Sequence, residues 1–271
     1  MSEEREYLLG TDEDELARLG FQHQVWAGHA ADAWERAGFA RGQALLDVRC
    51  GPGYATLDLA RLVGPGGRVH GVDVSARFLA HLRALAEAQR VRNVTAEVLD
   101  LTADELPEAA FDGAYARWVL CFVHDPGEVV RRVARSLRPG GAFVVQDYLK
   151  YLGVVMAPAD PAFDRVFAAM VASWHAAGGD PDIGMRVPGL MRAAGLEVAH
   201  VEPRVRGGRP GSGVWEWPRT FFTNYLPTLV RGGFITQSDA DAFDARWAER
   251  ERDPAAFFST PPQVTVIGVK R

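Results

Sequence analysis

The chain has 271 residues, a formal charge of −5, 48% hydrophobic and 24% charged residues. This mixture is that of a soluble globular protein with one full domain and a surplus, and its acidic balance argues against a general nucleic-acid or anionic-membrane surface. Cys50 and Cys121 are too few for a secreted disulfide framework, the start MSEEREYLLG lacks a secretion pattern, and no apolar run reaches the ~18 residues of a membrane span, so a cytoplasmic protein is expected.

The first forty residues read as helix. Thr11 and Asp12 are capping candidates, and Val25, Trp26, Ala30, Ala33, Trp34 and Ala37 recur at helical spacing up to Gly38. From Ala44 strands alternate with helices: ALLDV, a helix from about Tyr54 to Leu62, RVHGVDV, an amphipathic helix from Ala76 to Gln89, and VTAEVL. A fourth strand in FDGAYARWVL, a helix from Gly127 to Leu137 and the strand AFVVQDY follow. GPGG at 64–67 and RPGG at 138–141 are turns. This rhythm predicts a parallel sheet covered by helices on both faces. After Tyr148 the rhythm breaks. Helices are expected at Pro161–Ala177, Val187–Ala194, Trp215–Val230 and Asp239–Arg250, with a strand at Leu196–Val201, a loop at RVRGGRPGSG and a closing strand in PPQVTVIGVK.

The first strand ends in Asp47-Val48-Arg49-Cys50-Gly51-Pro52-Gly53, just before a helix. A glycine turn there lets backbone approach a ligand and aims helix N–H groups at it. Asp73 ends the second strand, 20 residues after Gly53, where a carboxylate can take both hydroxyls of a ribose. Asp100 ends the third, within reach of an adenine amino group. The three acids share the edge where open α/β sheets bind ligands. A nicotinamide cofactor is disfavoured, because Thr56 stands where its fingerprint needs a third glycine.

LLDVRCGPGYATLDLA, VHGVDVS, EVLDLTADELP, FDGAYARWVLCFVHDP and LRPGGAFVVQDY, in this order and spacing, resemble the class I S-adenosylmethionine-dependent methyltransferases. The likeness is closest to the small-molecule branch, of the ubiquinone/menaquinone or secondary-metabolite kind. It implies a Rossmann-like α/β fold with a seven-stranded, mostly parallel sheet of order 3-2-1-4-5-7-6 and an antiparallel last strand. It also implies that Asp47, Gly51 and Gly53 form the cofactor turn and that Asp73 takes the ribose. Asp100 and Leu101 then flank the adenine, and Ala116 and Arg117 lie near the methionine part.

Arg49 departs from the pattern D-x-G-x-G-x-G by replacing its first glycine. Glycine serves there for close approach or for dihedrals other residues avoid. Two opposed expectations follow. Arg49 fills or repels the methionine part and impairs binding, or it swings out and pairs with the cofactor carboxylate or Asp47. The primary expectation is methyl transfer to a small hydrophobic or aromatic acceptor. The alternative is a methyltransferase-fold protein in which Arg49 impairs cofactor binding, leaving a non-methylating catalyst or a binding protein.

Methyl transfer from a sulfonium needs positioning and water exclusion, and a base only if the acceptor loses a proton. The histidine that relatives often carry after strand four is missing from Leu120-Cys121-Phe122-Val123. His124 reads as a surface or capping residue, and His29 and His175 as core or solvated ones. Asp147 and Tyr148, at the end of strand five, are the candidates for touching the acceptor. No His/Cys/Asp cluster has metal-ligand spacing, so no metal is expected. The aromatics Trp26, Trp34, Trp174, Trp215, Trp217, Phe221, Phe222, Tyr225, Phe243 and Trp247 are expected to build core and an apolar acceptor pocket.

The expected layout is one domain over 1–271. It has an N-terminal helical cap (1–43), a cofactor core (44–148), helical lid insertions at 149–195 and 203–262, and a last strand in 263–271. The cap helix can cover its own pocket or a neighbour's, which leaves a homodimer open.

Overall fold

Residues 13–271 are described by a computed structural model; the expected caps Thr11 and Asp12 lie outside the described residues. Helix α1 (Glu13–Arg36) carries Glu13, Asp14 and Glu15 in its first turn, where negative charge complements the helix dipole. It buries Trp26, Ala30, Ala33 and Trp34 on one face. Strands and helices then alternate: β1 (Ala44–Val48), α2 (Tyr54–Val63), β2 (Arg68–Asp73), α3 (Ala76–Ala88), β3 (Val94–Val98), β4 (Phe111–Arg117), α4 (Pro126–Ser136) and β5 (Leu137–Tyr148). The second half supplies β6 (Val155–Ala157), α5 (Pro161–Ala176), α6 (Val187–Ala193), β7 (Leu196–Arg204) and β8 (Gly207–Gly208). It closes with α7 (Gly213–Arg231), α8 (Gln237–Arg250), β9 (Phe257–Ser259) and β10 (Gln263–Lys270).

The main sheet runs β3-β2-β1-β4-β5-β10-β7. Strands β1 to β5 pair in parallel, and β10 is antiparallel to both β5 and β7. This is the expected order, with β7 and β10 as the sixth and seventh strands. Alternation along a strand divides the core. Leu45 packs with Trp34, Leu59 and Tyr115 on one face, and Leu46 with Ala114, Val133 and Phe143 on the other. The register slips between β4 and β5, where Phe111 pairs with Leu137 but Gly113 with Ala142. The RPGG segment therefore forms an irregularity inside β5 rather than a separate turn.

The later insertions are not wholly helical, as expected, but also form a small sheet of order β6-β9-β8. Its strands are two or three residues long, too short to show periodicity. Part of the predicted loop at 204–213 belongs to it. Trp215, Phe222, Phe243 and Trp247 are buried with Phe163 and Phe167, so most lid aromatics are core. The strand order reverses between β1 and β4, which opens a crevice at their carboxyl ends.

Candidate functional site

The turn after β1 is built from left-handed backbone. Gly51 and Gly53 have φ of 55° and 87°, and Arg49 adopts φ 49°. A non-glycine residue there is strained by about 1–2 kcal/mol, so Arg49 occupies a position whose geometry suits glycine. At Gly53 an added Cβ would stand 2.2 Å from Leu82 Cδ1, so α3 closes against the turn. Asp73 ties the turn to the next strand: its Oδ2 accepts from Gly51 N–H and its Oδ1 from Ser75 N–H, both at 2.9 Å. Burial raises the Asp73 carboxyl above the usual carboxylate range, opposed by these N–H groups and by the Arg49 cation. Asp47 is 3% exposed, accepts from Thr56 Oγ1 at 2.6 Å, and is pushed by burial up to about 7. Asp100 accepts from the Thr102 amide and hydroxyl at 2.9 and 2.7 Å.

These groups line a cavity of about 600 Å³ that extends from the acidic edge to an aromatic chamber. Asp47, Arg49, Gly51, Asp73, Asp100, Arg117 and Tyr148 all face it. Gly53, Leu101 and Ala116 do not: Gly53 is the packing glycine behind the turn, and Leu101 and Ala116 have their side chains in the core. Asp147 is also outside it, which corrects its expected contact with the acceptor. Its side chain is fully buried, with Oδ2 accepting from the Leu120 and Cys121 amides at 3.0 and 3.2 Å and Oδ1 from the Tyr148 amide at 2.9 Å. Asp147 therefore braces the turn after β4, and burial raises its carboxyl to about 6.

Arg49 makes neither hydrogen bond nor ion pair among the described residues, and its charge acts on Asp73. Its pairing with Asp47, one of the two forms of the second expectation, is not formed.

Several lining residues escaped the sequence reading. Arg18, Gln22 and His23 come from α1. Arg18 donates to both oxygens of Glu15 at 2.7 and 2.6 Å and to Gln22 Oε1 at 3.1 Å. Trp118 and Phe122 are further additions, and Trp174 and Phe221, both among the aromatics expected to build the pocket, complete the aromatic chamber with Tyr148. Trp118 has φ 52° and stacks on Tyr148 and Trp217 at 6.0 and 5.8 Å. Such strain, held by packing, is a mark of functional sites. His124 is also on the rim, packed on Gly178. His29, in contrast, is a core residue: it bonds Thr265 Oγ1 at 3.0 Å, and burial lowers it to about 4.

A profile described as a methyltransferase domain matches residues 46–145. The demethylmenaquinone methyltransferase of Bacillus cereus is 30% identical over 179 residues, covering 60% of this chain and 73% of that protein. This chain belongs to the S-adenosylmethionine-dependent methyltransferases. The demethylmenaquinone methyltransferase of Lactococcus lactis subsp. lactis is 33% identical over 140 residues, 50% of this chain and 54% of that protein. The chain thus spans about half the length of that relative. Geranyl diphosphate C-methyltransferase from Streptomyces coelicolor A3(2) shares the fold, with a TM-score of 0.60 at 16% identity over 92% of this chain and 80% of that one. The profile and the curated relatives put the chain in the class I, small-molecule branch, a family of enzymes whose cofactor is S-adenosylmethionine, and the solved structure shows the shared fold.

The residues present fit that cofactor in kind. Asp73 offers a buried carboxylate to vicinal hydroxyls. The Asp47 carboxyl and the Arg117 cation face the same cavity, an acidic and a basic side chain complementary to the ammonium and carboxylate of an α-amino-acid end. Arg49 lines the cavity where the family pattern has glycine.

Proposed function

We propose that this chain transfers a methyl group from S-adenosylmethionine to a small, planar, hydrophobic acceptor with a hydroxylated aromatic ring. The observation that carries this reading is the two-part cavity. One end has the acids and glycine turn suited to an adenosyl group, and the other is walled by Trp118, Tyr148, Trp174 and Phe221. Aromatic walls favour a flat ring by stacking, and the quinone-derived acceptors in the names of the relatives support the same class.

Asp73 and Asp100 would hold the adenosyl part, Asp47 and Arg117 the amino-acid part, and Gly51 the close backbone approach. The sulfonium supplies an activated methyl group. The protein's part is to hold the acceptor in line and exclude water. Burial holds the Tyr148 phenol well above its ordinary value, so it acts as a hydrogen-bond donor to an acceptor oxygen rather than as a base. His124, on the rim of the chamber, is of the residue type that accepts a proton from an acidic hydroxyl. His124→Asn is then expected to lower kcat while leaving the KM for S-adenosylmethionine near wild type. Mass-spectrometric detection of methylated product across a panel of phenols and hydroquinones tests the proposal. No product with any ring acceptor, despite cofactor binding, would refute it.

A second reading, weakened cofactor binding, is favoured by Arg49. The residue is strained and unpartnered among the described residues, and it shares the cavity with a carboxylate meant for ribose. Calorimetry with S-adenosylmethionine and S-adenosylhomocysteine separates the readings, since the second predicts little or no heat from either.

A further inference from the structure

Arg117 ends β4 at the cavity wall, and a guanidinium can only donate hydrogen bonds. Its Nη2 stands 3.0 Å from Nδ1 of His23 on α1. That ring nitrogen must therefore present its lone pair. The other nitrogen, Nε2, then carries the proton and donates it to Asp58 Oδ2 of α2 at 2.9 Å. The imidazole is 8% exposed and lies beside the Tyr54 ring, with centroids 6.1 Å apart. The side of Arg117 away from His23 is different. Its Nη1 is buried and has no hydrogen-bond partner among the described residues, and the guanidinium lies over the Trp118 ring at 5.1 Å from the centroid. Asp58 does not neutralise Arg117, because its oxygens are engaged by His23 and Arg61. A cation that lines the cavity, is oriented by a neutral acceptor and keeps Nη1 unpartnered among the described residues suits a carboxylate, which accepts two parallel charge-assisted bonds from one edge of a guanidinium.

We propose that His23 is a positioning residue that aims Arg117 at the α-carboxylate of the cofactor's amino-acid end, with Asp58 fixing the tautomer that makes this possible. This rests on the methyl-donor reading of the cavity. It adds a residue from α1, 94 positions from Arg117, to the machinery that recognises the donor. His23 acts through Arg117. Its contribution therefore appears only with ligands that carry the carboxylate.

The test is calorimetric titration of the full chain with S-adenosylhomocysteine and with 5′-methylthioadenosine, an adenosine thioether without the amino-acid end. Wild type is expected to bind S-adenosylhomocysteine at least about 10-fold more tightly, the worth of a charged hydrogen bond. His23→Ala should lose most of that preference and keep its affinity for 5′-methylthioadenosine. His23→Asn places an acceptor oxygen where Nδ1 stood and should restore the preference. His23→Gln, whose amide reaches toward Asp58 instead, should not. Melting temperatures of all variants identify any that fail to fold. Equal weakening of both ligands in His23→Ala, or equal rescue by Asn and Gln, would overturn the proposal in favour of a purely structural tie between α1 and α2. Wild type that binds the two ligands equally would overturn it alone, and wild type that binds neither would overturn the methyl-donor reading with it.

Discussion

Replacing Arg49 by glycine perturbs backbone and charge together, and the two effects can be read separately. Arg49 holds φ 49°, and left-handed backbone costs a non-glycine residue about 1–2 kcal/mol. Glycine removes that strain but adds about 0.5–1 kcal/mol of unfolded-state entropy. The net gain is then under about 1.5 kcal/mol, a rise in melting temperature of a few degrees at most. The charge effect is on binding. Arg49 lines the cavity and its cation acts on the Asp73 carboxyl. S-adenosylmethionine has a sulfonium and an ammonium against one carboxylate, so it is net cationic, whereas S-adenosylhomocysteine is net neutral. Two like charges about 8 Å apart repel by about 2 kcal/mol at an effective dielectric constant near 20, and by less where water enters. Removing the arginine should therefore tighten S-adenosylmethionine by roughly 5- to 30-fold. It should tighten S-adenosylhomocysteine less, and added salt should narrow the difference. Calorimetric titration of both ligands against wild type and Arg49→Gly reads this directly. An unchanged or weakened affinity for S-adenosylmethionine, or the same factor for both ligands, would refute the reasoning.

Gly53→Ala combines φ 87° with a methyl 2.2 Å from Leu82 Cδ1. It should cost about 2–3 kcal/mol, seen as a lower urea midpoint; a midpoint equal to wild type would show that the turn is looser than described. Asp147→Ala leaves the amides of Leu120, Cys121 and Tyr148 without their acceptor. A loss of about 3 kcal/mol is expected, while affinity for S-adenosylhomocysteine stays near wild type below the melting transition. A variant with normal stability but no ligand binding would return Asp147 to the site. Asp47 is pushed up to about 7 by burial, so the folded chain holds a proton that the unfolded chain releases near pH 4. Its contribution to stability is full below that pH and is lost as pH rises through about 7. Binding of a cationic donor favours the carboxylate, so affinity for S-adenosylmethionine should rise with pH across the same window. Calorimetry from pH 5 to 8 should show that slope in wild type and a flat, weaker response in Asp47→Asn.

The acidic edge was legible because it is local. Asp47 and Asp73 lie at the ends of β1 and β2, while the glycine turn and Asp100 follow β1 and β3 within a few residues, and such a position fixes which edge of a parallel sheet a residue occupies. The pair Asp147-Tyr148 shows where this stops. Successive side chains on a strand point to opposite faces, so only one of the two could enter the cavity, and strand-end position alone does not say which. The acceptor chamber was less legible still. Trp118 belongs to the strand-end region, but Trp174 comes from α5, Phe221 from α7, and Arg18 and His23 from α1. A helix's apolar periodicity identifies its buried face without saying what that face meets. His23 therefore looks like any half-apolar helix position until α1 is laid over Arg117 and Asp58. The small sheet was invisible for a different reason, since strands of two or three residues carry no alternation to detect.

The most direct measurement of the central claim is a crystal structure of the chain grown with S-adenosylhomocysteine. The account predicts density along the carboxyl edge of the main sheet, with ribose hydroxyls on Asp73, the adenine beside Asp100, the carboxylate on Arg117 and the sulfur directed toward the aromatic chamber. Density in the aromatic chamber alone, or an adenosyl group that leaves Asp73 bonded only to Gly51 and Ser75, would contradict it.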